Sequence, residues 1–193
     1  MRTETSRKWF TVDDYYRMGE TGILSENDRT ELIEGEILEM SPIGDPHMIA
    51  VTRASMIFAR GIGDRVVVSV QNPAFIDRFN LPQPDVVLIR PREGFYGDGK
   101  PYPEDVVLLI EVSDSSLRFD REVKVPIYAR SGIREVWIVD LQNAAIHVYR
   151  EPKDKTYTSI ETRHHGETVS PQAYPDFAVK VSTSWASLRY CLT

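Results

Sequence analysis

Apolar residues fall along this chain in short runs, separated by stretches rich in Gly, Pro and charge. Residues 66–70, 86–89, 106–110, 135–140 and 145–150 are rich in Val, Ile and Leu and are bounded by turn formers, a pattern that predicts strands. Residues 156–162 read as another strand. Residues 74–79 look like the partner of 66–70 across the turn Gln71-Asn72-Pro73. Residues 31–40 predict a hairpin that turns at Gly35, and a short strand and turn fall within 167–174. Helical signals are fewer. Residues 10–18 have Thr11 as a candidate N-cap, Asp13 and Asp14 in the first turn and Gly19 as a stop. Residues 47–60 carry Ile49, Ala50, Ala54, Ile57 and Phe58 at helical spacing, closed by Gly61 and Gly63. Residues 118–132 read as a third helical stretch. Pro126 lacks the N–H that an uninterrupted helix needs, so residues 118–124 are expected to form a separate turn ahead of a helix that starts near Val125, with Lys124 at a kink or at that helix's N-terminus. Residues 184–192 predict a short terminal helix with Trp185 and Leu188 packed inward. Strands interleaved with helices indicate an α/β fold: a mixed central sheet flanked by helices, with extra β-hairpins, in one domain over residues 1–193. Strand order is not legible at this level.

Composition narrows the class. No apolar run approaches ~18 residues, so no membrane-spanning helix is expected. The first ten residues lack the apolar core of a secretory signal. A single cysteine, Cys191, excludes an internal disulfide framework and suits a reducing cytoplasm. The net charge of −6 argues against broad, non-specific binding of nucleic acid, which depends on neutralising phosphates. A bound cation or a local basic strip can still reverse the sign over part of the surface. There is no internal repeat and no glycine-rich nucleotide-binding pattern.

The candidate chemistry centres on residues 108–128. Glu111 ends an apolar run, Ser113 to Ser116 follow with turn or capping chemistry, and Asp120, Lys124 and Tyr128 recur at intervals that share a helix face. Asp85 precedes the run at 86–89 as Glu111 follows its own. If those strands are antiparallel neighbours, the two acids meet at one end of the sheet, where a hard divalent cation relieves their repulsion. The plainer alternative is a half-buried strand-end acid with Lys124 as its ion-pair partner. Other candidates divide the same way. The acids at Glu31, Glu34, Glu36 and Glu39 suit a solvent-facing edge. His47 opens a helix as a capping residue or a site-edge residue. The loop at 91–105, with Tyr96, Lys100 and Tyr102, is either a solvated insertion or a nucleic-acid contact. His147, His164 and His165 lack ligand-spaced partners and read as structural or exposed residues.

Taken together, Pro84-Asp85, Glu111 and a following lysine resemble the PD-(D/E)XK nuclease superfamily. More closely, the chain is similar to the Uma-two family of restriction-endonuclease-like proteins, over most of its length. Residues 30–37, TELIEGEI, resemble that family's "YELIDGE" segment, with Thr30 where Tyr is usual. Ser41-Pro42 and His47 resemble its "SP…H" segment. Glu111-Val112-Ser113, Asp120, Lys124 and Tyr128 resemble its central signature, and residues 135–140, EVWIVD, its "EYWLVD" strand. Where the superfamily's E-X-K pattern carries lysine, this chain has Ser113, and the resemblance implies that Lys124 takes the lysine's role. It also implies a restriction-endonuclease-like core and a Mg2+- or Mn2+-dependent endonuclease acting on nucleic acid, with DNA favoured. Asp85, Glu111 and the main-chain carbonyl of Val112 would be the metal ligands, and Glu31, His47, Asp120 and Tyr128 accessory residues. A homodimer is expected because two strands of a duplex require two sites. The competing expectation is a non-catalytic binding module on the same scaffold, with the acids and Lys124 kept as an ion-pair network.

Overall fold

The computed structural model describes residues 6–25, 27–97 and 99–182. The chain opens with α1 (Val12–Glu20). Thr11 caps it as expected: its hydroxyl accepts from the Asp14 N–H, and the Asp14 carboxylate accepts from the Thr11 N–H. β1 (Thr30–Ile33) and β2 (Glu36–Glu39) form the predicted hairpin. Gly35 is required at its turn, because φ is +78° and a Cβ there would lie 2.7 Å from the Trp9 Cβ. α2 (Asp45–Ile62) follows, with Pro46 in its first turn, where a missing N–H costs nothing.

A six-stranded sheet comes next. Its strands are β3 (Val67–Val70), β4 (Val86–Ile89), β5 (Val106–Ser113), β6 (Glu135–Asp140), β7 (Ala145–Lys153) and β8 (Thr156–His164), paired in chain order. Every neighbouring pair is antiparallel except β5 and β6. A parallel pair needs a crossover, and a helical segment supplies it: α3 (Leu117–Phe119), a π-helical turn (Asp120–Lys124) and α4 (Val125–Arg130). The interruption expected at Pro126 is this wide turn, which relieves the contact between the proline ring and the preceding turn while the chain stays helical. Two short strands, β9 (Thr168–Val169) and β10 (Val179–Lys180), pair beside the sheet.

The central strands are apolar at nearly every position because both faces are covered. Val86, Leu88, Leu108 and Ile110 pack with Phe58 and Trp137 on the α2 side. Val87, Leu109, Val136 and Ile138 pack with Ile127 and Tyr128 on the α4 side.

Residues 74–79 do not pair with β3. That neighbour is β4, in the register Val67↔Ile89 to Val70↔Val86. The segment instead closes on residues 80–82, with the Ala74 N–H on the Pro82 carbonyl and the Ile76 N–H on the Asn80 carbonyl. The Asp77 carboxylate accepts from the Phe79 N–H and the Asn80 amide and tightens that turn. The loop at 91–105 contains two 3-10 turns and folds back on the body. Lys100 Nζ lies 3.7 Å from the centre of the Phe75 ring, and Tyr102 meets the same ring edge-on. The helix expected at 184–192, and Cys191 with it, lie outside the described residues. Among the described residues no helix is long and apolar enough to cross a membrane.

Candidate active site

The pairing of β4 with β5 brings the two acids together. Val86 lies opposite Ile110, so one step further along the register sets Asp85 opposite Glu111. Val86 and Ile110 face α2, and alternation along β5 turns Glu111 toward α4, whereas Asp85, just ahead of β4, meets the first turn of α2 through His47. Asp85 is fixed on several sides. Its Oδ2 accepts from the Val112 main-chain N–H at 2.8 Å and contacts His47 Nε2 at 3.1 Å, while its Oδ1 accepts from the Gln71 side chain at 3.1 Å. Glu111 Oε1 accepts a short 2.6 Å bond from the Tyr128 hydroxyl.

The crossover supplies the rest. Asp120, Lys124 and Tyr128 share one face and all three are buried. Lys124 Nζ sits 3.1 Å from Glu31 Oε2 and 3.4 Å from Glu111 Oε1. Glu31 comes from β1 and also accepts from the Gln83 N–H, which ties the hairpin to the residues leading into β4. Asp120 Oδ2 accepts from the hydroxyls of Ser113 and Ser116, each at 2.6 Å. Ser113, at the strand position where E-X-K would carry lysine, thus holds an acid of the helix, while the ammonium arrives from the helix itself. All seven candidate side chains, Glu31, His47, Asp85, Glu111, Asp120, Lys124 and Tyr128, converge here. All but Tyr128 line a cavity of about 480 Å3, which Arg29 and residues 40–44 also line.

The charges do not balance. Glu31, Asp85, Glu111 and Asp120 are buried carboxylates around one buried ammonium, with His47 beside Asp85. Burial pushes Glu111 up to about 8. Lys124 pulls it down only in part, and Asp120 and Asp85 add to the rise. Burial also raises Asp120, against Lys124 and the two serine hydroxyls. Burial opposes the charged form of His47, but its hydrogen bond to Asp85 and that acid's charge outweigh it and raise the imidazole. Lys124 is held further up, because its acidic neighbours outweigh its burial.

An excess of buried carboxylate oxygens is the donor chemistry of a hard divalent cation. A Glu111 that titrates near 8 holds a proton at neutral pH, in the place where such a cation would supply positive charge. Among the described residues, however, no three His, Cys, Asp or Glu side chains are already grouped around one point as ligands. Lys124 and Tyr128 engage Glu111, and Val112 contacts Asp85 through its N–H. The donor set fits a divalent ion, and the arrangement is that of a closed hydrogen-bond network.

Three contributors carry no local sequence signal: Gln71, Gln83 and Arg29 reach the site through contacts set by the fold. Glu34 points away, onto Arg130. His147 lies on the Asp140 carboxylate and the Thr162 hydroxyl of the sheet.

Comparison with known proteins agrees with this architecture. A solved structure of "a putative nuclease belonging to DUF820" from Anabaena variabilis ATCC 29413 superposes with a TM-score of 0.70 over 92% of this chain and 99% of that one. Its 15% sequence identity makes it evidence for the fold alone. No curated protein matches the sequence. The family model of Uma2, "Putative restriction endonuclease", matches residues 12–182, a span that holds the sheet, the crossover and every candidate residue. The chain belongs to the Uma2 family.

Proposed function

We propose that this protein is a metal-dependent endonuclease that hydrolyses phosphodiester bonds of DNA. The observation that carries the reading is the meeting of Asp85, Glu111 and Lys124 at one end of the sheet, beside an open cavity. Asp85 and Glu111, with the main-chain carbonyl of Val112, would hold Mg2+ or Mn2+. Such an ion polarises a scissile phosphate and makes a nearby water more acidic. Lys124 places a permanent positive charge 3.4 Å from Glu111, where negative charge grows on the phosphoryl oxygens as the attacking oxygen approaches. Glu31 anchors that ammonium from the side of the hairpin. Tyr128 fixes the Glu111 carboxyl and His47 fixes that of Asp85, so both acids are oriented before substrate arrives. A homodimer would present one such site to each strand of a duplex.

One observation favours a second reading. Lys124 is paired directly with Glu31 and Glu111, as it would be in a binding module that keeps these residues as an ion-pair network. Cleavage separates the two. Supercoiled plasmid incubated with Mg2+ or Mn2+ should be nicked by the wild type. Asp85→Ala and Glu111→Ala should lose activity by roughly a hundredfold or more while keeping the wild-type circular dichroism spectrum. Equal cleavage by both variants would remove this site, and a wild type that cuts nothing would leave the binding module.

A further inference from the structure

A polyanion cannot approach this cavity unaided. Carboxylates dominate its lining, and two of its cations are already committed. Lys124 is buried against Glu31 and Glu111, and His47 is held by Asp85. Arg29 is different. It is half-buried in the cavity lining and immediately precedes β1. Its main chain is pinned at the open end of the hairpin, where its carbonyl accepts from the Met40 N–H at 2.7 Å. Its guanidinium makes one hydrogen bond among the described residues, from Nη1 to the Ser41 carbonyl at 2.9 Å, and no ion pair. That bond uses Nη1 alone, and the residue lines the cavity. A planar fork with unspent donors matches a phosphate in a way a point charge does not. Arg29 lines the same cavity as His47 and Asp85.

We propose that Arg29 is a substrate-positioning residue, gripping a backbone phosphate of DNA at the mouth of the cavity so that a neighbouring phosphate reaches Asp85, Glu111 and Lys124. This rests on the nuclease reading above. Arg29 was not among the residues singled out in the sequence, since an arginine before a strand carries no signal. It becomes legible only when the folded hairpin sets it against the acidic lining. A purely structural Arg29 would be a clasp between the hairpin and residues 40–44.

The test is equilibrium binding of a short fluorescein-labelled DNA duplex by fluorescence anisotropy, with chelator present so that nothing is cut, across a series of salt concentrations. Arg29→Gln keeps a donor for the Ser41 carbonyl and removes the charge. Its plot of log affinity against log salt should be shallower than that of the wild type by about 0.9, the value of one lost phosphate contact. Affinity at low salt should fall roughly tenfold. Arg29→Lys should restore the slope and only part of the affinity. A melting temperature measured on each variant keeps a folding defect separate from a binding one. If Arg29→Gln keeps the wild-type slope and affinity, the inference fails, while metal-dependent cleavage lost in Glu111→Ala would leave the nuclease reading standing. If the wild type neither binds nor cuts the duplex, both fail together.

Discussion

Glu111 is where burial and charge oppose each other most directly. The folded protein holds its proton up to about pH 8, whereas an ordinary glutamate releases it near 4.5. Between those values the native state binds a proton that the unfolded chain has lost, so this group's contribution is complete at low pH and disappears as pH rises through 8. Asp120 and His47, both raised, act in the same direction. The expected outcome is a urea midpoint that declines from about pH 5 to about pH 8.5 in metal-free buffer, and a flatter profile in Glu111→Gln. A variant profile parallel to that of the wild type would place the pH dependence elsewhere. At this scale the sequence was informative wherever an acid or a lysine adjoins a patterned run, as at Asp85, Glu111 and Lys124. It is silent on Gln71 and Arg29, whose partners, Asp85 and Ser41, are chosen by the fold.

Among elements, the crossover segment matters most. Pro126 follows a wide π-helical turn, and that turn sets where Lys124 emerges. Pro126→Ala removes the reason for the widening and should let a regular α-helix form from Leu117 onward. The variant should be at least as stable as the wild type in urea. Plasmid cleavage should fall by roughly tenfold or more, because a displacement on the order of 1 Å at a catalytic group is that costly. Undiminished cleavage would mean that Lys124 tolerates a change of helical pitch. The proline is visible in the sequence and predicts a separate turn ahead of a helix near Val125, and both form, without a full break in the ladder. The chain widens its hydrogen-bond ladder instead, since Asp120, Lys124 and Tyr128 are all buried on one face and keep the segment in place. The same limit explains residues 74–79. Their composition suits a strand, but β4, apolar toward both layers, is the better neighbour for β3.

For the whole molecule, strand order came only with the structure, because pairing is decided by which faces can be covered at once. The order has a thermodynamic consequence. Asp85 and Glu111 come close only when β4 and β5 are paired, so a divalent ion that uses both binds the native state and not the unfolded one. Millimolar Mg2+ or Mn2+ should therefore raise the melting temperature, by roughly 2–4 °C for each kcal/mol of binding in a chain of this size. Asp85→Ala should abolish the rise, and an equal rise in that variant would point to ions bound elsewhere. The parallel step from β5 to β6 has a further consequence, for how the chain can vary in length. Topology obliges a crossover at that point, and the obligatory helix also delivers the lysine. Extra residues inserted between Ser113 and Leu117 would shift Lys124 relative to Glu111. The loop at 91–105 and the turn at 141–144 have no such duty. Length variation among descendants of this fold should gather in those two connections and spare the three-residue link after β5.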